Sequence, residues 1–402
     1  MSKIHIVDSI MGSGKTSAAI ELMKERKNDN FIFITPFLSE VERIKEKCQP
    51  RTFLEPVNKG QGKLHSLHLL LDRQNSIAST HALFRCYTDY TVELLKQGNY
   101  VLVLDEVCDV IEQVDISKDD LNILLKEYAY VEDSVLIWKE DKKEYDGLFA
   151  SIKEMALNKT LIVYGDCLLM WNFPVSVFEG FKEIFILTYL FKAQIQKYYY
   201  DYYNVEYDYW GVNKIDDKYC FVEHYVEHKY EKLKYLIHIV EEDKMNQLGD
   251  NAFALSVSWY QREEKNKFTL AKKLKANMIN FFINKRKPDK GDLAMWTVFK
   301  KYQPILKGKG YTEGHVAVNA RATNDYRHKR NLAYMVNIYF NPIYKKFFEQ
   351  KNIEMFEDEY ALSEMVQWIW RSAIREGNEI WIYIPSNRMR TILKKWLEDL
   401  NK

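Results

Sequence analysis

The sequence predicts an α/β protein with two parallel-sheet lobes in tandem. Short apolar runs alternate with helical patterns along most of the chain, which is typical of a doubly wound parallel sheet. Several of these runs end in hydroxyl or carboxyl side chains, and ligands of such sheets gather at the carboxyl ends of the strands. The length of 402 residues suits two domains, and the 47% of apolar residues is enough for two sizeable cores.

The first motif lies close to the amino terminus, where residues 9–16 read Ser-Ile-Met-Gly-Ser-Gly-Lys-Thr. An apolar run precedes this motif and a helical pattern follows it, which is the context of a phosphate-binding loop. Glycines let consecutive N–H groups point at one phosphate, and the start of the helix adds the positive end of its dipole. We therefore predict a nucleoside triphosphate site formed by Gly12, Ser13, Gly14, Lys15, Thr16 and Ser17.

A second motif supplies the acidic half of this predicted site. Residues 100–104 read Tyr-Val-Leu-Val-Leu and are followed by Asp105 and Glu106, as in a buried parallel strand that delivers carboxylates to the sheet edge. Such an ending is common in isolation, but its pairing with a phosphate-binding loop predicts a hydrolysis site. We expect Lys15 to reach the β- and γ-phosphates, Thr16 and Asp105 to bind Mg²⁺, and Glu106 to polarise the attacking water.

Further apolar runs predict the remaining strands of the first lobe. They cover residues 31–36, a short strand that ends in Ser79 and Thr80, residues 161–166 and residues 183–188, and the region 118–158 is predicted to be helical. Polar side chains close these strands at the edge where ligands collect, namely at Thr35, Ser79, Thr80 and Thr188. For Ser79 and Thr80 a helix cap is an equally good interpretation.

A tyrosine-rich stretch separates the predicted lobes. Residues 197–210 contain seven tyrosines and Trp210, which allows either a surface that stacks exposed bases or an aromatic connector packed between domains. We favour the connector and place it at residues 197–250, between a first lobe at 1–196 and a second lobe at 251–402.

The second lobe is predicted to contain strands at residues 252–259, 292–299 and 379–384, with a closing helix at 387–400. A further strand begins at His315 and ends in a dense polar cluster that includes Arg321, Thr323 and Asn324. Polar groups at the end of a strand suit either a binding site or a turn. We prefer the binding site.

The last motif is predicted to lie on a helix over residues 364–375. Gln367, Arg371 and Arg375 recur every four residues and so would share one helix face. An arginine on such a face can stabilise the charge of a transferring phosphoryl group. The alternative is a solvated face that pairs with local glutamates.

Composition narrows the class of protein further. The net charge of +1 gives no global basic field, so any groove for nucleic acid must be local. The five cysteines are scattered without a Cys-x-x-Cys pair, which predicts reduced thiols, a cytoplasmic location and no structural zinc. We find no run of about 18 apolar residues and therefore expect no membrane partner.

Taken in order, these motifs resemble those of superfamily 2 helicases of the DEAD/DEAH-like group, and most closely the small phage-encoded type. The likeness spans Ser9 to Arg375. It implies two RecA-like lobes with ATP and Mg²⁺ in the cleft between them. Some residues depart from the usual pattern: Ser9 replaces the first loop glycine, Val107 and Cys108 follow the acidic pair, and Trp370 replaces a glycine before Arg371. Arg371, Arg375 or both therefore remain candidates for the arginine finger.

The resemblance also implies a function. An ATP-dependent helicase or translocase would move along a single strand by contacts mostly to the phosphate backbone, with single-stranded or forked DNA favoured over RNA as partner. The implied nucleic-acid contacts are Thr35, Ser79, Thr80, Thr188, Arg321, Thr323 and Asn324. A phage origin would suggest action in the host cytoplasm with replication or recombination proteins. The alternatives are an ATP-gated remodelling clamp or loader, a DNA-packaging ATPase and a nucleoside kinase.

Overall fold

The structure is a computed structural model that describes residues 2–165, 168–224, 230, 232–286, 293–319 and 325–400. The chain forms two compact units. Unit 1 comprises residues Met1–Val226 and Lys345–Met355, and unit 2 comprises Glu227–Tyr344 and Phe356–Lys402. The predicted connector at 197–250 is therefore divided between the two units.

The secondary-structure elements of the described residues follow in chain order. The strands are β1 (Lys3–Asp8), β2 (Asn30–Thr35), β3 (Phe53–Leu54), β4 (Ser76–Thr80), β5 (Tyr100–Asp105), β6 (Ile111–Gln113), β7 (Ala129–Glu132), β8 (Val135–Trp138), β9 (Leu161–Tyr164), β10 (Leu168–Asn172), β11 (Glu183–Thr188), β12 (Asp208–Ile215), β13 (Lys218–Val222), β14 (Ile237–Ile239), β15 (Ala294–Thr297), β16 (Asn331–Tyr334) and β17 (Ile380–Tyr383). The helices are α1 (Lys15–Glu25), α2 (Leu38–Lys47), α3 (Lys63–Asp72), α4 (His81–Phe84), α5 (Asp89–Gly98), α6 (Lys118–Ile123), α7 (Ala150–Leu157), α8 (Val175–Glu179), α9 (Ile195–Tyr202), α10 (Leu233–Leu236), α11 (Asp243–Asn246), α12 (Val257–Lys265), α13 (Thr269–Ile279), α14 (Gln303–Leu306), α15 (Pro342–Glu349), α16 (Glu357–Ile369) and α17 (Asn387–Asp399).

The main sheet of unit 1 has the strand order β13-β12-β1-β11-β5-β2-β4-β3. All neighbouring strands are parallel except the pair β12 and β13. The central strands are buried along almost their whole length because their apolar runs face helices on both sides. The predicted parallel sheet is thus confirmed. Since β11 lies between β1 and β5, one strand separates the glycine-rich loop that follows β1 from the acidic end of β5.

A second sheet of unit 1 is absent from the sequence-based prediction. Strands β6 to β10 form an antiparallel sheet in the order β6-β10-β9-β8-β7, inserted in the chain between β5 and β11. The strand predicted at 161–166 belongs to this sheet and not to the parallel one, and the helical prediction for 118–158 is wrong where β7 and β8 lie. A run of four apolar residues does not reveal which sheet a strand will join, because periodicity alone cannot distinguish the two environments.

The tyrosine-rich stretch also differs from its prediction. Tyr198, Tyr199 and Tyr200 lie on α9 and are fully buried in unit 1. They therefore belong to the core, because aromatic side chains bury large apolar areas. Residues 208–222, which follow them, form the hairpin β12–β13 on the edge of the main sheet beside β1.

Unit 2 contains a four-stranded parallel sheet in the order β14-β17-β16-β15. The predicted strands near residues 292–299 and 379–384 and the closing helix are present as β15, β17 and α17. The predicted strand at 252–259 is wrong: Ser256 caps α12 there, its hydroxyl accepting the N–H of Trp259. A serine before an apolar run predicts a helix start as well as a strand, and in this case the cap prevails.

Candidate nucleotide site

The loop between β1 and α1 has the backbone of an anion site. Gly12 and Gly14 adopt left-handed conformations, with φ of 82° and 94°, and α1 begins directly after Gly14. The N–H of Ser9 donates to the carbonyl of Thr188 at 3.0 Å, which fixes the start of the loop to the end of β11. The first N–H groups of an α-helix have no partner within that helix, so those of α1 are available to a phosphate.

Lys15 lies over this loop and is half-buried. Its Nζ donates to the carbonyl of Ser9 and, at 3.1 Å, to the carbonyl of Ile10. Burial lowers the pKa of Lys15, while the carboxylates of Glu106, Asp8 and Asp105 oppose that shift. The ammonium group of Lys15 can exchange these carbonyl acceptors for the oxygens of a bound phosphate, to which it would make stronger, charge-assisted hydrogen bonds.

Asp105 ends β5 and is the point where two strands and the loop helix meet. Its carboxylate accepts the hydroxyl of Thr16 at 3.2 Å and that of Thr35 at 3.4 Å. Burial, followed by the charges of Glu106 and Glu40, raises the pKa of Asp105 to about 7. A divalent cation beside this carboxyl group would favour its ionised form. A carboxyl group must be ionised to bind a metal ion.

Glu106 follows Asp105 in an uncommon backbone conformation, with φ of 84°. Its N–H donates to the carbonyl of Leu187 at 3.0 Å, and its carboxylate accepts the hydroxyl of Thr188 at 3.3 Å. A non-glycine residue in this region costs about 1–3 kcal/mol and persists where the surrounding structure imposes it, often at functional sites. This backbone conformation turns Glu106 at the end of β5, where its carboxylate meets Thr188.

Asp8 is a site residue that the sequence-based prediction did not include. It ends β1 directly before the loop, and its carboxylate accepts the N–H groups of Leu190 at 2.8 Å and Phe191 at 3.0 Å. Burial raises the pKa of Asp8. Asp8 thus joins the end of β1 to the residues that follow β11, and its charge acts on Lys15. A charged residue that closes an otherwise apolar strand is the signal that identifies it.

The site suits a magnesium-bound nucleotide. The buried hydroxyls of Ser9 and Ser13 have no hydrogen-bond partner among the described residues, so the loop offers two donors to an incoming phosphate. Thr16 and Asp105 supply a hydroxyl and a carboxyl oxygen, which are ligands that Mg²⁺ prefers when phosphates and water complete its shell. In the described ranges, no three His, Cys, Asp or Glu side chains come together as a separate metal cluster.

The residues that the resemblance assigns to nucleic-acid contact differ in how far they are buried. Thr35, Ser79 and Thr188 are buried, and the hydroxyls of Thr35 and Thr188 face Asp105 and Glu106. In this placement Thr35 and Thr188 support the acidic pair, and their contact with nucleic acid stays a prediction. Thr80 is half-buried at the end of β4. The predicted contacts Arg321, Thr323 and Asn324 fall within residues 320–324, which lie outside the described residues.

The predicted helix face of Gln367, Arg371 and Arg375 is wrong. Helix α16 ends at Ile369, and a short 3-10 turn begins at Ala373. Gln367 is half-buried on the helix, Arg371 is only 7% exposed in the turn, and Arg375 is exposed. Ser372 ends the α-helical pattern because its hydroxyl accepts the N–H of Ile374. The three side chains therefore occupy three different environments within unit 2.

Comparisons with known proteins agree with this fold. The family described as the YonV C-terminal Rossmann-like domain matches residues 231–397, and the YonV middle domain matches residues 111–171, which form the antiparallel sheet. Over 415 aligned residues the chain is 45% identical to the SPbeta prophage-derived uncharacterized protein YonV of Bacillus subtilis (strain 168), with 99% of this chain and 100% of that protein covered.

Solved structures of XPD helicases are similar to the chain. The structure titled "XPD_APO" has a TM-score of 0.51 and 14% identity, and the alignment covers 98% of this chain and 95% of that one. A second structure, titled "XPD_Helicase", has a TM-score of 0.46 and 11% identity, with coverage of 99% and 95%. No helix among the described residues is both long and apolar enough to cross a bilayer. The chain belongs to the YonV family, and its fold is the α/β fold with RecA-like lobes.

Proposed function

We propose that the protein is an ATP-dependent nucleic-acid helicase or translocase. The observation that carries this proposal is the contact of Thr16 with Asp105 at 3.2 Å, beside Lys15 and Glu106 at one edge of the sheet. This set contains a phosphate lysine, a pair of magnesium ligands and a carboxylate able to orient water, which are the parts that nucleotide hydrolysis needs. The motif order along the chain and the helicase-like fold support the class.

The proposed chemistry follows from these positions. With MgATP bound, Lys15 and the first N–H groups of α1 would hold the β- and γ-phosphates, while Thr16 and Asp105 would hold Mg²⁺. Glu106 would orient a water molecule and accept its proton as the water oxygen bonds to the γ-phosphorus. The bond from that phosphorus to the β,γ-bridging oxygen breaks, and ADP and phosphate leave. We also propose that Arg371 or Arg375 stabilises the charge of the transferring group.

The proposed partner is single-stranded or forked DNA, in preference to RNA. A prophage-derived relative supports a phage origin. We propose a role in phage replication or recombination, with action in the host cytoplasm beside proteins of those processes. Because recognition through the phosphate backbone carries no sequence information, we expect little sequence preference.

The test is steady-state ATP turnover with and without single-stranded DNA or RNA. We expect the wild type to turn over faster with one polymer, and Lys15→Ala to lose turnover by about 10²-fold or more. Lys24→Ala, on the same helix but paired with Glu21, is the matched control and should behave as the wild type. Turnover indifferent to both polymers would contradict the helicase proposal.

A further inference from the structure

The hairpin β12–β13 lies beside the phosphate-binding loop. β12 pairs with β1 through residues Asp208 to Trp210, which face His5 to Val7. β1 ends one residue later at Asp8, whereas β12 continues to Ile215, paired with β13. The hairpin therefore extends past the carboxyl end of β1, where the loop begins.

Aromatic packing fixes the base of this hairpin. The ring centroid of Trp210 lies 4.2 Å from that of His5, and Phe221 stacks on Phe185 at 5.2 Å. Val212 is buried in the core that the hairpin shares with α1. Such aromatic pairs add stability beyond their buried area, so the hairpin is held firmly against β1 and β11.

The ring of Tyr219 on β13 lies against the backbone of Gly14. A Cβ atom placed on Gly14 would meet Cδ1 of Tyr219 at 2.3 Å and Cε1 at 2.4 Å. Side-chain carbons do not approach so closely, so only glycine fits beneath this ring. Gly14 also has φ of 94° and is the last residue before α1. Two independent features, the backbone conformation and the ring, thus require glycine at this position.

We infer that Tyr219 is a positioning residue of the nucleotide site. Its ring packs on Gly14 and restricts the left-handed turn that directs the following N–H groups at a phosphate. A loop held in its binding conformation loses less conformational entropy when the ligand arrives, so its affinity is higher. This inference rests on the proposed nucleotide site. It depends on the ring and not on the tyrosine hydroxyl.

The experiment measures binding of two probes by calorimetry, MgATP and magnesium tripolyphosphate. We expect Tyr219→Ala to weaken both by about tenfold, because the loop that binds the phosphates is loosened. Tyr219→Phe keeps the ring and should stay within about twofold of the wild type. Ile215→Ala changes an exposed side chain at the tip of the same hairpin and is the matched control.

A double-mutant cycle with Gly14→Ala tests whether the contact itself is responsible. Because the ring and the added methyl group compete for the same space, the loss of MgATP affinity in the double variant should be smaller than the sum of the single losses. Additive losses would overturn the inference. Normal binding of both probes by Tyr219→Ala would also overturn it, as would a loss confined to MgATP, which would indicate contact with the base instead.

This design separates the inference from the proposed function. If the wild type binds MgATP but its ATP turnover is not stimulated by any nucleic acid, the helicase proposal is contradicted. The role of Tyr219 is then still decided by the binding of the two probes to its variants. A wild type that binds neither probe overturns both. The unfolding midpoint of each variant shows whether a loss of binding reflects loss of the fold.

Discussion

The two parallel sheets of the protein end in very different side chains. The central strands of unit 1 end in acids or threonines, namely Asp8, Thr35, Thr80, Asp105 and Thr188. The strands of unit 2 end in uncharged residues, namely Ile239, Thr297, Tyr334 and Tyr383. The compared strands are parallel in both sheets, so the difference lies in the residues that terminate them.

This difference shows where the chemistry is concentrated. Burying several carboxylates beside one lysine destabilises a fold unless a ligand uses them, and such groups therefore cluster at functional sites. In unit 1 burial raises the pKa of Asp8 and Asp105 and lowers that of Lys15. The strand ends of unit 2 named above carry no comparable set of acids.

The largest effect is expected at the acidic edge of unit 1. Glu106→Gln removes the group that accepts the proton of water but keeps its size, so ATP turnover should fall about 10³-fold while MgATP binding persists. Glu93→Gln, on the exposed face of α5, is the control. Turnover and equilibrium binding of both variants check this prediction. Turnover of Glu106→Gln within tenfold of the wild type would contradict the assignment.

The next effect concerns the two candidate arginines, because they occupy different environments. Arg375 is exposed, so Arg375→Ala should lower turnover by about 10²-fold or more and leave the fold intact. Arg371 is buried, so Arg371→Ala should lower the free energy of unfolding by about 2 kcal/mol. Turnover and urea unfolding of both variants distinguish the roles. The reverse pattern would make Arg371 the cation that acts on ATP.

A smaller effect is expected from pH. Because the pKa of Asp105 is raised to about 7, a proton competes with Mg²⁺ below that pH. The apparent affinity for Mg²⁺ in the presence of ATP should fall as the pH is lowered from 8 to 6, by up to about tenfold per unit. Asp105→Asn carries no titrating carboxyl and should retain only the pH dependence of MgATP itself. Equal profiles for both proteins would contradict a role of Asp105 in binding the metal.

The smallest effect concerns His5 on β1, which contacts the first residues of β11 and β12. Burial disfavours the charged form of His5, but its hydrogen bonds to Glu183 and Asp208 outweigh burial and raise its pKa above 6.5. The bonds of the charged form therefore stabilise the fold fully below pH 6.5, and this contribution is lost as the pH rises through the higher folded pKa.

Accordingly, His5→Gln should lower the free energy of unfolding by about 1 kcal/mol at pH 6 and by less at pH 9. Urea unfolding at the two pH values measures this difference. A loss that is the same at both pH values would show that His5 acts through packing alone. His65→Gln, at an exposed position of α3, serves as the control.

The sequence was sufficient for the features that depend on local pattern. The glycine-rich loop between a strand and a helix and the Asp105-Glu106 strand end follow from apolar runs joined to fixed residue types, and the structure has β1, α1 and β5 at these positions. The antiparallel sheet was missed because short strands such as β7 and β8 have no periodicity that distinguishes them from helix turns. The contact of Tyr219 with Gly14 was invisible, since it joins residues that lie more than 200 positions apart through strand pairing.

The arginine motif shows the limit of helical spacing. Residues four apart share a face only while the helix continues, and α16 ends at Ile369, before Arg371. The side chain of Ser372 closes the turn that follows. Ser372, among bulky apolar residues, was therefore the signal that the helix face stops there. The sequence alone did not show that this signal overrides the strong helical pattern, because packing decides between them.

The central claim is that unit 1 binds a nucleotide through Lys15. Equilibrium binding of MgATP to the wild type, Lys15→Ala and Lys24→Ala tests it most directly. We predict that the wild type binds, that Lys24→Ala binds equally well, and that Lys15→Ala binds at least about tenfold more weakly. Equal binding by Lys15→Ala and the wild type would contradict the account.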